Sequence, residues 1–218
     1  MPTQKKVAVI LSGCGVFDGA EIHESVFTLW AIAKSGATYT IFAPDVNQHH
    51  VINHLTGEES GETRNVLVES ARIARGKIQP LSDYQAADFD ALLLPGGFGA
   101  AKNLSSLAFD GPDCTVNAEV EQALKETHTA QKPIGALCIT PAVIAKVFGQ
   151  VEVTIGQDTA TAEVIEKMGG THSKTTHGEV VIDKANKIAT TPCYMLDATI
   201  DQIATGAENV VEATLKMA

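Results

Sequence analysis

The chain has 218 residues, 44% hydrophobic and 19% charged, with a formal net charge of −10 at pH 7. That length fills one domain and is short for two; the acidic balance repels nucleic-acid phosphates, and no apolar run reaches the roughly 20 residues of a membrane span. Cys14, Cys114, Cys138 and Cys193 form no CxxC pair, which argues against a zinc ribbon or a thioredoxin-type dithiol and for free thiols.

Val7 to Leu11 is a continuous apolar run closed by Ser12-Gly13-Cys14-Gly15, the pattern of a parallel strand buried on both faces. It is too short for a signal-peptide core and no small-residue cleavage site follows it, so a cytoplasmic protein is expected. Glu21 to Lys34 has helical periodicity in Ile22, Val26, Leu29, Trp30 and Ala33, and Gly36 stops it. Thr38 to Ala43 is a second strand, ended by Pro44-Asp45. Residues 45–62 are polar, contain His49, His50, Asn53 and His54, and predict an ordered loop or small hairpin. Thr63 to Ala74 reads as a helix with Asn65, Arg72 and Arg75 toward solvent. Asp90 to Leu94 is a buried strand stopped by Pro95-Gly96-Gly97, Asn117 to Ala130 a helix, Pro133 to Leu137 a strand and Pro141 to Phe148 a helix. Val151 to Ile155 predicts a strand and Ala160 to Met168 a helix ended by Gly169-Gly170. Glu179 to Asp183 and Lys187 to Thr191 form a hairpin about Lys184-Ala185-Asn186, and Met195 to Met217 is helical with a candidate break at Gly206. Strands alternating with helices predict one α/β domain over residues 1–218, its sheet mostly parallel and covered by helices on both faces.

In open α/β sheets, ligands bind where strands end and turn into loops and helices. Three such turns stand out: Ser12 to Gly15, Pro95 to Gly99, and Leu137 to Pro141. A sharp strand-to-helix turn lifts its central side chain above the sheet, as in elbows that present a nucleophile; here that side chain is Cys138. Free amides and the positive dipole end at a helix start favour the thiolate, so the Cys138 pKa is expected below its ordinary value. Pro141 suits the first helical turn. An inert core cysteine at a strand end fits the same pattern. Gly96-Gly97 puts no Cβ in the way of a ligand, and the amides of Gly97 and Ile139 are candidates for an oxyanion hole; a turn needing glycine only for its dihedrals is the alternative. Glu21, His23 and Glu24 begin the first helix, with Glu21 and Glu24 on neighbouring positions. A carboxylic acid held near a thiolate is raised in pKa and can shuttle a proton, although acids are favoured in first turns for dipole reasons alone.

These turns together make the chain similar, over nearly its whole length, to the ThiJ/PfpI superfamily, the α/β branch related to class I glutamine amidotransferases. Gly19 to Glu24 resembles the segment carrying the family's active-site acid, at Glu24. Leu94 to Leu104 resembles its glycine turn and following helix, and Cys138 falls at its elbow cysteine. Leu11 to Gly19, Val51 to Gly57, Thr63 to Leu67 and Cys138 to Pro141 are most similar to the enhancing lycopene biosynthesis (ElbB, or sigma cross-reacting) branch, which commonly has Ala where Thr140 stands. The resemblance implies a single-domain flavodoxin-like sandwich, a homodimer, and no cofactor or metal.

What the resemblance implies for function is a weak glutathione-independent glyoxalase that turns methylglyoxal or glyoxal into lactate or glycolate. Cys138 is then the nucleophile, Glu24 the proton carrier, and the amides of Gly97 and Ile139 the oxyanion donors. Gly96, Cys14, Glu21, His23 and Asn103 are expected to line the site. The non-enzymatic alternative is a regulator linked to isoprenoid metabolism that senses oxidative stress through Cys138. Amidotransferases and hydrolytic relatives carry a base histidine downstream of the cysteine. Thr154 to Asp158 has none, and His177-Gly178-Glu179 stands too near Cys138 in sequence to match, so glutamine hydrolysis and proteolysis are not expected. A third candidate is a metal site from His49, His50 and His54 with Glu58, argued from the one-turn spacing of His50 and His54. The expected partners are a small reactive dicarbonyl and a second copy of the chain, with neither nucleic acid nor membrane.

Overall fold

A computed structural model of the protein describes residues 4–218. The chain opens with β1 (Lys6–Ile10), α1 (Ile22–Lys34), β2 (Thr38–Ala43), α2 (Val66–Ile73) and the two-residue β3 (Gln79–Pro80). Next come β4 (Ala91–Leu94), the short helices α3 (Phe98–Lys102) and α4 (Leu107–Asp110), α5 (Ala118–Thr129), β5 (Ile134–Leu137) and α6 (Thr140–Phe148). β6 (Glu152–Val153), α7 (Thr159–Lys167), β7 (Thr171–His172), β8 (Val181–Asp183), β9 (Ile188–Thr191) and α8 (Ile200–Met217) complete it. Seven strands make one sheet in the order β3-β2-β1-β4-β5-β9-β8. Every neighbouring pair is parallel except β8–β9. This is the flavodoxin-like α/β sandwich the sequence predicts.

Alternation along β1 shows why both faces must be covered. Val7, Val9 and Leu11 pack with Ile32 of α1 and Val211 of α8, while Ala8 and Ile10 face Ala100 of α3, Leu124 of α5 and Val143 of α6. Each large aliphatic side chain buried this way stabilises the fold by about 1.5–3 kcal/mol. Helix starts are set by side chains that accept from first-turn amides: Glu21 for α1, Asn65 for α2, Asn117 for α5 and Asp158 for α7. Thr199 and Gln202 close a capping box on α8. Strand order runs outward in opposite directions from β1 and β4, so the crevice above their carboxyl ends is where a ligand is expected.

Several elements differ from expectation. Val151 to Ile155 is not a strand of the main sheet; Glu152–Val153 pairs with β7 in a separate two-stranded sheet. Side chains take its amides: Glu152 N donates to Asp183 Oδ2 (3.0 Å) and Thr154 N to Thr190 Oγ1 (2.9 Å), so these donors are satisfied without a longer ladder. Helix α8 runs through Gly206 unbroken. Glycine is needed there for packing, since a Cβ would lie 3.1 Å from Cys193 Sγ. The helix begins at Ile200, because Cys193–Met195 forms a 3-10 turn. α2 begins after its Asn65 cap rather than at Thr63. The hairpin of residues 45–62 is a single Ile52–Glu59 bridge.

Candidate functional site

Cys138 follows β5 directly, and its amide donates to Thr191 O at the end of β9 (3.0 Å). Its φ of 61° is a left-handed conformation that costs a residue with a Cβ roughly 1–2 kcal/mol. That turn is the expected elbow, and it lets α6 begin at Thr140 with Pro141 in its first turn. Thr140 Oγ1 donates to Pro95 O (3.0 Å), which ties α6 to the glycine turn after β4.

Gly96 is glycine because the site closes on it: a Cβ would lie 2.7 Å from Glu24 Oε2 and 2.8 Å from Cys138 Sγ. Gly97, at φ 104°, is equally constrained, since a Cβ would run into Gly19 O and Glu21 N. Two hydrogen bonds clasp the start of α1 to this turn. Glu21 N donates to Gly96 O (2.8 Å), and Gly96 N donates to Glu24 Oε2 (2.9 Å). Tyr194 N reaches the other oxygen, Glu24 Oε1, at 3.2 Å. Glu21 Oε2 accepts from Glu24 N (2.7 Å), capping the helix and placing a second carboxylate beside the first. Glu24 is fully buried.

Burial, then the charge of Glu21, pushes the Glu24 carboxyl up to about 8, against the pull of the Tyr194 and Gly96 amides and of the Cys138 thiol. Cys138 corrects the expectation of a depressed thiol. Its pKa is raised well above the usual value, first by burial and second by Glu24, with the thiol hydrogen-bonded to that carboxyl. The amides of Gly97 and Ile139 pull the other way and do not overcome it. Both amides are directed at the sulfur. At pH 7 the pair is therefore mostly a neutral acid beside a neutral thiol.

The other expected residues divide. Glu21 and Gly96 belong to the site, and His23 sits at its exposed rim with Nδ1 2.8 Å from Tyr194 OH. Cys14 does not line it: this half-buried thiol is raised by burial and by Glu69 and Asp18, with Arg72 opposing, so its surroundings are those of α2. Asn103 also lies outside it, as a clasp. Its Nδ2 donates to Ser12 O and Asp18 O, and its Oδ1 accepts from His49 N. The histidine cluster does not assemble. His49 stacks on Phe109, whereas His54 Nε2 accepts from Phe17 N, and no group of three His, Cys, Asp or Glu among the described residues could hold a metal ion. His177 is exposed in the turn before β8, where Glu179 accepts from Thr176 N within its own loop. Tyr194 and Cys193 were missed by sequence reasoning. Thr190 to Tyr194 ends the strand next to β5, so the rule that picked the other turns applies to it as well. Cavities of about 820 Å³ between the ends of α1 and α8, and about 740 Å³ beside α5, lie away from Cys138.

Residues 15–200 match the DJ-1/PfpI family. The chain is 50% identical over 222 residues to the glutamine amidotransferase-like class 1 domain-containing protein 3, mitochondrial, of Homo sapiens, covering 97% of this chain and 83% of that protein. It superposes with TM-score 0.92 and 38% identity on an isoprenoid biosynthesis protein with amidotransferase-like domain from Ehrlichia chaffeensis, covering 98% and 99% of the two chains. Glyoxalase III of Candida albicans, at 14% identity and TM-score 0.63 over 96% and 97% of the chains, shares the fold. These relatives correct the cytoplasmic expectation: the human protein and the ES1 proteins of Rattus norvegicus and Danio rerio are mitochondrial by name, and the run Val7 to Leu11, whose shortness carried that expectation, is buried in the core of the sheet. Among the described residues no helix is long and apolar enough to cross a membrane. On the family match, the human relative and the shared fold, the chain belongs to the DJ-1/PfpI family.

Proposed function

We propose that Cys138 and Glu24 carry out a metal-free and glutathione-free glyoxalase reaction on a two- or three-carbon 2-oxoaldehyde. The observation that carries this reading is the buried Glu24 carboxyl, held at about 8 and hydrogen-bonded to the Cys138 thiol. A carboxyl poised there accepts and returns a proton near neutral pH. With only 7% of Cys138 exposed, the substrate must be small.

Sulfur attacks the aldehyde carbon as the thiol proton passes to the Glu24 carboxylate, and the new oxyanion rests on the amides of Gly97 and Ile139. Glu24 returns that proton to the oxygen, which completes a hemithioacetal. The carboxylate then takes the hydrogen of C1 and delivers it to C2, while the C1 hydroxyl proton moves to the oxygen on C2. The product of that transfer is a thioester of a 2-hydroxy acid, and water hydrolyses it to lactate or glycolate and the free thiol.

The test is lactate formation from methylglyoxal by purified, chelator-treated protein. Because the carboxylate form is the base, turnover is expected to rise with pH and level off above about 8. Cys138→Ala and Glu24→Gln are expected to abolish it. Unchanged lactate formation by Cys138→Ala would sink the assignment.

A further inference from the structure

Cys193 is a nucleophile that the carbonyl chemistry does not use. Among the described residues, five other than glycine adopt positive φ: Arg75, Gln131, Lys187, Cys138 and Cys193. The first three are in turns that reach solvent, whereas the two cysteines are 7% and 5% exposed. Each such conformation costs about 1–2 kcal/mol, and here both hold thiols at the ends of neighbouring strands. β5 and β9 pair with Leu137 opposite Thr191, so Cys138 and Cys193 stand one and two residues beyond a paired position. The two residues share one buried cluster with Leu137, Ala189 and Ile203. The two thiols lie near enough in this cluster that charge on Cys138 raises the Cys193 thiol, after burial and Glu24. Glu24 spans them, one oxygen on Gly96 N beside Cys138 and the other on Tyr194 N, the residue after Cys193.

We propose that Cys138 and Cys193 form a dithiol that closes to an intramolecular disulfide when a hydroperoxide oxidises Cys138. The Cys138 sulfur attacks one peroxide oxygen: an S–O bond forms, the O–O bond breaks, and water or an alcohol leaves with the thiol proton. The Cys193 sulfur then attacks the resulting sulfenic acid. An S–S bond forms, the S–O bond breaks, and the hydroxyl leaves as water with the Cys193 proton. The peroxide gains two electrons and the dithiol loses two hydrogens. The disulfide protects Cys138 from further oxidation, and a small thiol restores it. This inference does not rest on the carbonyl reaction, and its test contains no dicarbonyl.

The full chain is treated with an equimolar amount of hydrogen peroxide, its free thiols are alkylated, and it is digested with trypsin without reductant. The expected product is the peptide Glu126–Lys146 linked to Ile188–Lys216, with two hydrogens lost and the link reversed by dithiothreitol. Cys193→Ser is expected to lose the link and to accumulate one to three oxygens on Cys138. Cys14→Ser and Cys114→Ser are expected to keep it. Circular dichroism confirms that Cys193→Ser folds; if it does not, the wild-type peptide map decides alone. Wild-type protein that gains oxygen on Cys138 while Cys193 stays a free thiol overturns the proposal, as does a link from Cys138 to Cys14 or Cys114.

Discussion

Replacing Glu24 with Gln removes a buried titrating group while keeping its shape. The folded pKa of about 8 lies above the unfolded value of 4.5. The stability that comes from keeping the proton is therefore fully present below 4.5 and is lost as pH rises through 8. At about 1.4 kcal/mol per unit, the wild type should lose about 3.5 kcal/mol relative to a non-titrating side chain between pH 5 and pH 8. Gln opposes one N–H with another, because both carboxyl oxygens accept from amides, Gly96 N and Tyr194 N. That lost hydrogen bond costs about 1–3 kcal/mol at every pH. The two stability curves should cross, the wild type being more stable at pH 5 and Glu24→Gln at pH 8. Chemical denaturation of both proteins at each half pH unit measures this. A stability difference that does not change between pH 5 and pH 8 would refute the raised, buried carboxyl and the mechanism built on it.

Gly96→Ala pushes a methyl group against Cys138 Sγ and Glu24 Oε2; it should cost about 1–3 kcal/mol in denaturant unfolding and slow alkylation of Cys138 in peptide mapping. Cys138→Gly should be about 0.5–1 kcal/mol more stable than Cys138→Ala, since glycine escapes the left-handed cost at φ 61° and repays part of it as unfolded-chain entropy; equal midpoints would contradict a strained elbow. Asn103→Ala removes three hydrogen bonds, to His49 N, Ser12 O and Asp18 O. It should cost about 2–3 kcal/mol and speed hydrogen exchange at the His49 amide.

Much of this architecture was legible because its signals are local. The apolar runs of β1, β4 and β5 carry their own evidence of burial on two faces, and α1 shows its helical periodicity in Ile22, Val26, Leu29, Trp30 and Ala33. The elbow at Cys138 and the turn at Gly96-Gly97 were visible as strand ends followed by residues with special dihedrals. Less of the site was legible. Cys14 and Asn103 sit in similar strand-end loops yet face Glu69 and His49, because side-chain direction at a loop is set by what packs across it. Tyr194 and Cys193 carry no motif of their own and matter through the neighbour that β9 provides. The segment Val151 to Ile155 has a strand's composition, but Asp183 and Thr190 take its amides, and those partners are 31 and 36 residues away.

By itself the sequence determined the layers of the sandwich, the order of its main elements, and a cysteine and a glycine turn at strand ends. Those follow from periodicity and turn chemistry, which act within a few residues. Only the tertiary structure decided the protonation of the pair. Helix-start reasoning favours a thiolate at Cys138, yet burial and a carboxyl brought from residue 24 hold the thiol and Glu24 neutral together. The reason is physical: an isolated helix end offers about half a positive charge to a group that water still reaches, whereas the folded core removes the water, and desolvation outweighs the dipole.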